Sequence, residues 1–369
     1  MLLNSLNQGR GKGNPLVSIL FLTLLLFQPA AVVSYPVTIL YGRSWPISIV
    51  VDAKRGFAYV DGTSGIYPPT GFSFGIVNVT SHEVVKVLPL DEIPGVMALD
   101  QEGGNVYIAG NASIQVFNEG NQSMGRTIVV GHPIRSIEYD GSISKNVFVT
   151  AGNNVYALDP HSGKIVGNAT VGNGANGMAL DSTGKLFVAE YPDSEILVFK
   201  AEGLSMIGTV RLPTCCAAQM AIDPRTHLLF ATTGTRYVEV VDTQDYTLVN
   251  SLQVGSSDLN STNVVAVDNE TGRVYVSSSP GGSIAELDGS GKGSVSKFRA
   301  DGQVAGMAVD SSTHELFATN YHQVTVFDIS RTRILLVGLA LGAVAAAVIA
   351  VAAVLIMRVR RRRRPVEGR

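Results

Sequence analysis

The sequence predicts an all-β protein: a seven-bladed β-propeller closed by its N-terminal strand, followed by one C-terminal transmembrane helix. A pattern of apolar stretch, Asp, polar turn and aromatic-centred apolar stretch occurs seven times, at intervals of 40 to 48 residues, with no helical segment between the copies. Four short strands per copy at this interval are typical of propeller blades. A charge-free run of 24 residues, 334–357, predicts the helix because it is long enough to span a bilayer.

Each copy of the pattern is anchored by one Asp, and the residues around it form columns. The residue before the Asp is mostly large and apolar, and the one before that is mostly small. This alternation is expected where successive side chains of a strand point to opposite faces. The seven anchors are Asp52, Asp100, Asp140, Asp181, Asp223, Asp268 and Asp310. The aromatic residues of the following strands are Tyr59, Tyr107, Phe148, Phe187, Phe230, Tyr275 and Phe317.

The two ends of the repeat array complement each other. The seventh copy stops after its third strand, at Asp328, whereas an additional strand, 37–42, precedes the first copy. We expect this segment to be the fourth strand of the last blade, which removes the exposed edges of an open array. The main alternative, an open β-solenoid, needs no such pairing.

Several segments resemble the YVTN-repeat family of surface-associated seven-bladed propellers, over about residues 35–330. Degraded copies of the tetrapeptide occur as Phe-Ala-Thr-Asn at 317–320, Phe-Ala-Thr-Thr at 230–233 and Tyr-Ile-Ala-Gly at 107–110. The third-strand pattern Val-x-Val-hydrophobic-Asp occurs at 324–328. The resemblance implies a propeller fold and a surface or extracytoplasmic setting. It implies no activity, because the functions of this family are heterogeneous.

The two ends of the chain predict export and membrane anchoring. Residues 1–34 have the features of a signal peptide, with Arg10 and Lys12 before the apolar run 16–27. An uncleaved anchor is the alternative, although the run is shorter than the ~20 residues that span a bilayer. Residues 35–330 then form the ectodomain, 334–357 the transmembrane helix and 358–369 a basic tail that stays cytoplasmic. We expect a single-pass protein of the cell membrane with an extracellular propeller.

Charge and motifs narrow the possible partners. Residues 35–333 hold 19 Lys and Arg against 29 Asp and Glu, which argues against nucleic acid. The expected partners are the lipid bilayer and a surface protein or glycan. A G-x-x-x-G made by Gly338 and Gly342 permits a homodimer. The sequence contains no recognised cofactor or metal motif, so we predict no cofactor, no metal site and no catalytic residue.

Ligand-binding candidates come from the loops of one face. We call "top" the face with the loops that precede each first strand and those that join second to third strands, and "bottom" the opposite face. Binding residues concentrate in such loops. Cys215 and Cys216 are the only cysteines, and they form a vicinal disulfide, remain free or bond between molecules. The top-face candidates are Trp45, His132, Tyr191, Cys215, Cys216, Arg236, Tyr321 and His322.

Two further features stand out from the repeat. Glu138 occupies a column that is otherwise small and apolar. Because a buried carboxylate needs a partner, we expect it either to pair with Arg135 or another base, or to point into the central channel. Six sequons suit a surface glycoprotein. The candidate glycosylation sites are Asn78, Asn111, Asn121, Asn168, Asn260 and Asn269.

These features favour a cell-surface binding scaffold that recognises a protein, an envelope glycan or a small ligand at its top face. One alternative is an exported propeller enzyme, lyase-like or lactonase-like, with its site at the channel mouth. Such an enzyme would need converging acidic and imidazole groups, for which His132, Glu138, Glu190 and His322 are the candidates. A second alternative is a structural component of the envelope.

Overall fold

The polypeptide folds into seven four-stranded antiparallel sheets, as the repeat predicts. The structure, a computed structural model, describes residues 36–40, 44–64, 69, 71–214, 217–254, 261–279, 281–320 and 322–330. This part of the chain contains no helix, and therefore none that could cross a membrane. The predicted signal peptide 1–34, transmembrane helix 334–357 and tail 358–369 lie outside the described residues.

Each blade contains four antiparallel strands, which are numbered here from the channel outward. The first, innermost strands are β2 (Ser44–Asp52), β6 (Val96–Asp100), β10 (Ile134–Tyr139), β14 (Ala175–Leu180), β18 (Gln219–Asp223), β22 (Ser261–Asp268) and β26 (Val304–Asp310). The second strands are β3 (Phe57–Ser64), β7 (Asn105–Ala109), β11 (Val147–Ala151), β15 (Lys185–Glu190), β19 (Leu228–Thr232), β23 (Arg273–Ser279) and β27 (Glu315–Asn320).

The outer half of each blade follows the same order. The third strands are β4 (Gly71–Asn78), β8 (Ser113–Asn118), β12 (Asn154–Leu158), β16 (Glu195–Lys200), β20 (Tyr237–Asp242), β24 (Ser283–Asp288) and β28 (Gln323–Asp328). The fourth strands are β5 (Val84–Leu90), β9 (Ser123–Val129), β13 (Ile165–Thr170), β17 (Met206–Arg211), β21 (Thr247–Gln253), β25 (Ser294–Arg299) and, for the seventh blade, β1 (Val37–Leu40).

The N-terminal strand closes the ring, which confirms the closure predicted from the two ends of the array. β1 pairs antiparallel with β28, placing Val37 opposite Val326 and Ile39 opposite Val324. Ile39 is only 4% exposed and belongs to a cluster of buried side chains between the seventh and first blades. The first strands of neighbouring blades also contact one another around the ring, including β26 with β2.

The core lies between the blades and explains the columns of the repeat. All seven aromatic residues of the second strands are at most 2% exposed. Each is paired with the residue two before the anchor Asp, for example Ala98 with Tyr107 and Ala308 with Phe317. A small side chain in that position leaves room for the neighbouring ring on the same face of the sheet. Glu138 breaks this rule, because it is the residue opposite Phe148.

The anchor Asp residues hold the turns between first and second strands on the bottom face. Asp52 is fully buried, and its Oδ1 accepts hydrogen bonds from the backbone N–H groups of Lys54 and Arg55. Asp310 binds Ser312 and Thr313 in the same way. An Asp side chain that accepts such bonds fixes a tight turn, which is the physical reason for its recurrence.

Two histidines on the bottom face take their conformation from these turns. His227 and His314 have φ angles of 58° and 55°, at the turn position where Gly56 and Gly104 have 73° and 67°. Left-handed backbone is strained for a residue with a side chain. The histidines thus adopt, at some cost in backbone strain, a conformation that glycine provides in other blades.

Candidate functional site

A cavity of about 240 Å³ lies at the centre of the ring and is lined by residues of all seven first strands. Its wall includes one apolar ring built from the residues three before each anchor Asp. Four of these seven residues are methionines, half of the eight in the chain. The ring comprises Ile49, Met97, Ile137, Met178, Met220, Val265 and Met307.

Glu138 lines this cavity as one of only two charged side chains among its described residues, the other being Arg135. Glu138 is half-buried, and no hydrogen bond or ion pair joins its carboxyl group to the described part of the protein. Burial alone raises the pKa of Glu138 to about 8. Of the two arrangements expected for Glu138, the structure therefore shows the one in which it faces the channel.

Pairing of Glu138 with Arg135 is not observed. Both residues lie on β10, three positions apart, and a β-bulge between Ile134 and Ser136 shifts the strand at Arg135. Arg135 is exposed and forms no ion pair within the described residues. Successive strand residues rise ~3.3 Å, so the two backbone positions are separated by at most about 10 Å along the bulged strand. The acid and the base thus occupy different levels of the same wall.

The cavity also has a neutral polar group that the sequence analysis missed. Gln219, on β18, lines the channel, and its side-chain amide has no hydrogen-bond partner among the described residues. By contrast, the hydroxyl of Ser136 accepts the N–H of Met178 at 3.2 Å. Only the register of β18 against β19 places Gln219 at the channel, so the repeat alone gave a weak signal for it.

Asp61 is a second acid that breaks the pattern of the repeat. It is fully buried in the first blade, where Oδ1 accepts the N–H of Ser48 at 2.8 Å. Its Oδ2 has no partner in the described structure. Burial raises the pKa of Asp61 to about 7, and the Ser48 N–H only partly opposes this shift. The signal was present in the sequence, because the equivalent positions of other blades hold small or hydroxyl residues such as Ala109 and Thr150.

The structure brings two of the predicted top-face residues together. The rings of Trp45 and His322 lie 6.4 Å apart in an edge-to-face arrangement. They belong to the first and seventh blades, so ring closure creates this contact. His132 instead stacks on Tyr156 of its own blade, with 6.5 Å between ring centroids and an interplanar angle of 8°.

The remaining top-face candidates lie apart. Tyr191 follows β15 and is 47% exposed, and Arg236 is exposed before β20 with its guanidinium 6.0 Å from the ring of Tyr237. No ring contact or hydrogen bond joins His132, Tyr191 and Arg236 to one another in the part of the chain that the structure describes. Cys215, Cys216 and Tyr321 lie outside the described residues, and so does the candidate disulfide.

The acidic and imidazole side chains proposed for an enzyme site do not form a metal site among the described residues. Glu190 is buried, and its Oε1 accepts the N–H of Asn173 at 3.3 Å. His132 and His322 are held against aromatic rings of different blades. Within the described residues, no three or more His, Cys, Asp or Glu side chains form a group that could hold a metal ion.

The sequons have different surroundings. Asn111, Asn121, Asn168 and Asn269 are exposed. Asn78 is half-buried, and its Oδ1 accepts the N–H groups of Thr80 and Ser81. Asn260 lies outside the described residues. Glycosylation at these sites remains a prediction.

Comparison with known proteins adds no closer assignment. No protein-family model matches the sequence, and no curated protein matches it. The seven-bladed fold agrees with the resemblance to YVTN-repeat propellers, whereas membership of that family stays a prediction. The chain is a β-propeller, a fold that generally serves as a rigid scaffold for binding.

Proposed function

We propose that this protein is a membrane-anchored propeller of the cell surface that binds a polar ligand at its top face and central channel. The observation that carries the proposal is the channel wall, where the half-buried side chains of Glu138 and Gln219 have no partner among the described residues and the exposed guanidinium of Arg135 lies on the same strand as Glu138. Polar groups withdrawn from solvent are normally hydrogen-bonded, so the two partly buried ones around this cavity favour a ligand that pairs with them.

The sequence supports the surface location. The predicted signal peptide 1–34, membrane helix 334–357 and basic tail 358–369 specify export with a cytoplasmic C-terminus. The sequons and the resemblance to a surface-associated family agree with this setting. A membrane-impermeant amine-reactive biotin reagent should label the full-length protein on intact cells, and deletion of 334–357 should release it into the medium. Labelling that requires lysis would refute the location.

Binding at the top face has its own test. We would place the photo-crosslinker benzoylphenylalanine at Arg236, exposed on the top, or at Glu202, exposed in the bottom loop between β16 and β17. In native membranes the Arg236 position should crosslink to a surface protein or glycan and the Glu202 position should not. Equal crosslinking from both faces, or none from the top, would contradict a top-face scaffold.

A further inference from the structure

The central cavity offers an acid and a base at different levels of one wall. Glu138 and Arg135 are the charged residues among the described residues that line it, and neither forms an ion pair there. Met97, Met178, Met220 and Met307 belong to the same wall, but their side chains are at most 8% exposed and pack into the cores between blades.

Among the described residues around Glu138, no other group satisfies its carboxyl group. The adjoining strands β11 and β14 carry no titratable residue. On β6, Asp100 lies at the bottom end, where its Oδ1 accepts the N–H of Gly103. On β10 itself, the neighbouring Tyr139 contacts the ring of Tyr107, in the core between the second and third blades. No cationic side chain of the described residues pairs with Glu138, and the channel is the cavity that Glu138 lines.

We infer that the channel binds a linear zwitterion, with an ammonium group against Glu138 and a carboxylate against Arg135. This inference rests on the proposed binding function and names the ligand chemistry for it. The backbone positions of the two residues are separated by at most about 10 Å along the strand. That span suits an unbranched ω-amino acid of about eight carbons, or a peptide of about three residues, which offers the same two ends.

Binding of the zwitterion should also change the protonation of Glu138, which can be measured. Because burial raises the pKa of Glu138 to about 8, the free protein holds this side chain mainly protonated at pH 7. An ammonium group in contact with it favours the carboxylate. Ligand binding at pH 7 therefore releases close to one proton, which calorimetry detects as a dependence of the binding heat on the ionisation enthalpy of the buffer.

The test is isothermal titration calorimetry on the full-length protein in detergent, with ω-aminooctanoate as the probe. The expected result is one site that binds ω-aminooctanoate at least about tenfold more tightly than octylamine, octanoate or γ-aminobutanoate. Triglycine distinguishes the two sources: tighter binding of triglycine assigns a peptide, and tighter binding of ω-aminooctanoate assigns a free amino acid.

Variants locate the site. Glu138→Gln should weaken binding at least about tenfold and abolish proton release, and Arg135→Gln should weaken it about threefold to tenfold because that side chain is exposed. Glu138→Ala restores the residue that five other blades have, so it guards against a folding failure of the first variant. Glu83→Gln, an exposed position outside the channel, is the matched control and should bind as the wild type does.

Several results would overturn the inference. They are the absence of binding by every probe, equal affinity for octanoate, and undiminished binding by Glu138→Gln. If the probes fail while the Arg236 crosslinks persist, the zwitterion inference is wrong and the top-face scaffold stands. If the crosslinks fail while the probes bind at Glu138, the channel is a small-molecule site and the scaffold proposal is wrong.

Discussion

Replacing Glu138 by alanine should stabilise the protein, and the gain should grow with pH. Five other blades have alanine at this position, opposite the aromatic residue of the second strand. Burial raises the pKa of Glu138 from its ordinary value of 4.5 to about 8. The unfolded chain therefore releases this proton at lower pH than the folded chain does. As a result, Glu138 destabilises the fold increasingly from about pH 4.5 to pH 8.

The magnitude follows from the size of this shift. Each unit of difference in pKa corresponds to about 1.4 kcal/mol, which gives a cost of about 3 kcal/mol at pH 7 and about 4 kcal/mol at pH 8. Channel water screens a half-buried carboxyl group, so we expect Glu138 to lower the free energy of unfolding by about 3 kcal/mol at pH 8. The unfolding entropy of about 300 residues is roughly 0.6 kcal/mol/K, so this corresponds to about 5 °C in melting temperature.

The assay compares wild type, Glu138→Ala and Glu138→Gln by guanidinium and thermal denaturation at pH 4 and pH 8, followed by far-ultraviolet circular dichroism. The difference between each variant and the wild type should grow by about 3 kcal/mol between the two pH values. Glu83→Gln should differ from the wild type by less than about 0.5 kcal/mol at both. A pH-independent difference would refute the reasoning, because it would mean that Glu138 ionises in the folded protein as readily as in the unfolded chain.

Two further predictions concern the closure of the ring and the turns. Ile39→Ala should destabilise the protein by about 2–4 kcal/mol because Ile39 is 4% exposed in the closing cluster, whereas Val37→Ala, at a position 43% exposed, should cost less than about 1 kcal/mol. Equal effects in urea denaturation would show that β1 adds little to the seventh blade. Burial of Asp140 opposes its ionisation, but the N–H groups of Ile143 and Ser144 and the hydroxyl of Ser142 lower its pKa to about 2. The folded pKa is below the ordinary value of 3.8, so Asp140 contributes about 2 kcal/mol above pH 4 that is lost as the pH falls through 2. Asp140→Asn should remove this part of the acid sensitivity in an acid-denaturation titration, and an unchanged acid midpoint would contradict the role given to the turn.

The blade number, the turns and the closing strand could be predicted from the sequence because each depends on local rules repeated seven times. The anchor Asp fixes its turn through bonds to residues two to four positions away, so every copy carries its own signal. Closure of the ring could be predicted by counting strands. The seventh copy, which stops at Asp328, lacks a fourth strand, and 37–42 is an additional strand before the first copy. None of these inferences required knowledge of a contact between distant side chains.

The site was less predictable because it depends on contacts across the ring. Trp45 and His322 were both assigned to the top face, but their contact exists only because the first and seventh blades meet. The orientation of Glu138 relative to Arg135 depends on the bulge in β10, which no local pattern marks. Nothing in the sequence distinguishes Gln219 from any other glutamine near the start of a strand, and only the register of β18 against β19 places it at the channel.

The two acids that break the columns of the repeat have different physical consequences. Asp61 is fully sequestered and already accepts one backbone hydrogen bond, so protonation is the way in which the fold tolerates it. Glu138 lines a cavity, so a ligand can reach it and offset its destabilising effect. Such a carboxyl group destabilises the free protein and gains a partner only when a ligand binds. The free energy of unfolding therefore depends more strongly on the ligand. This difference is why Glu138, rather than Asp61, is the residue around which a binding function can be built.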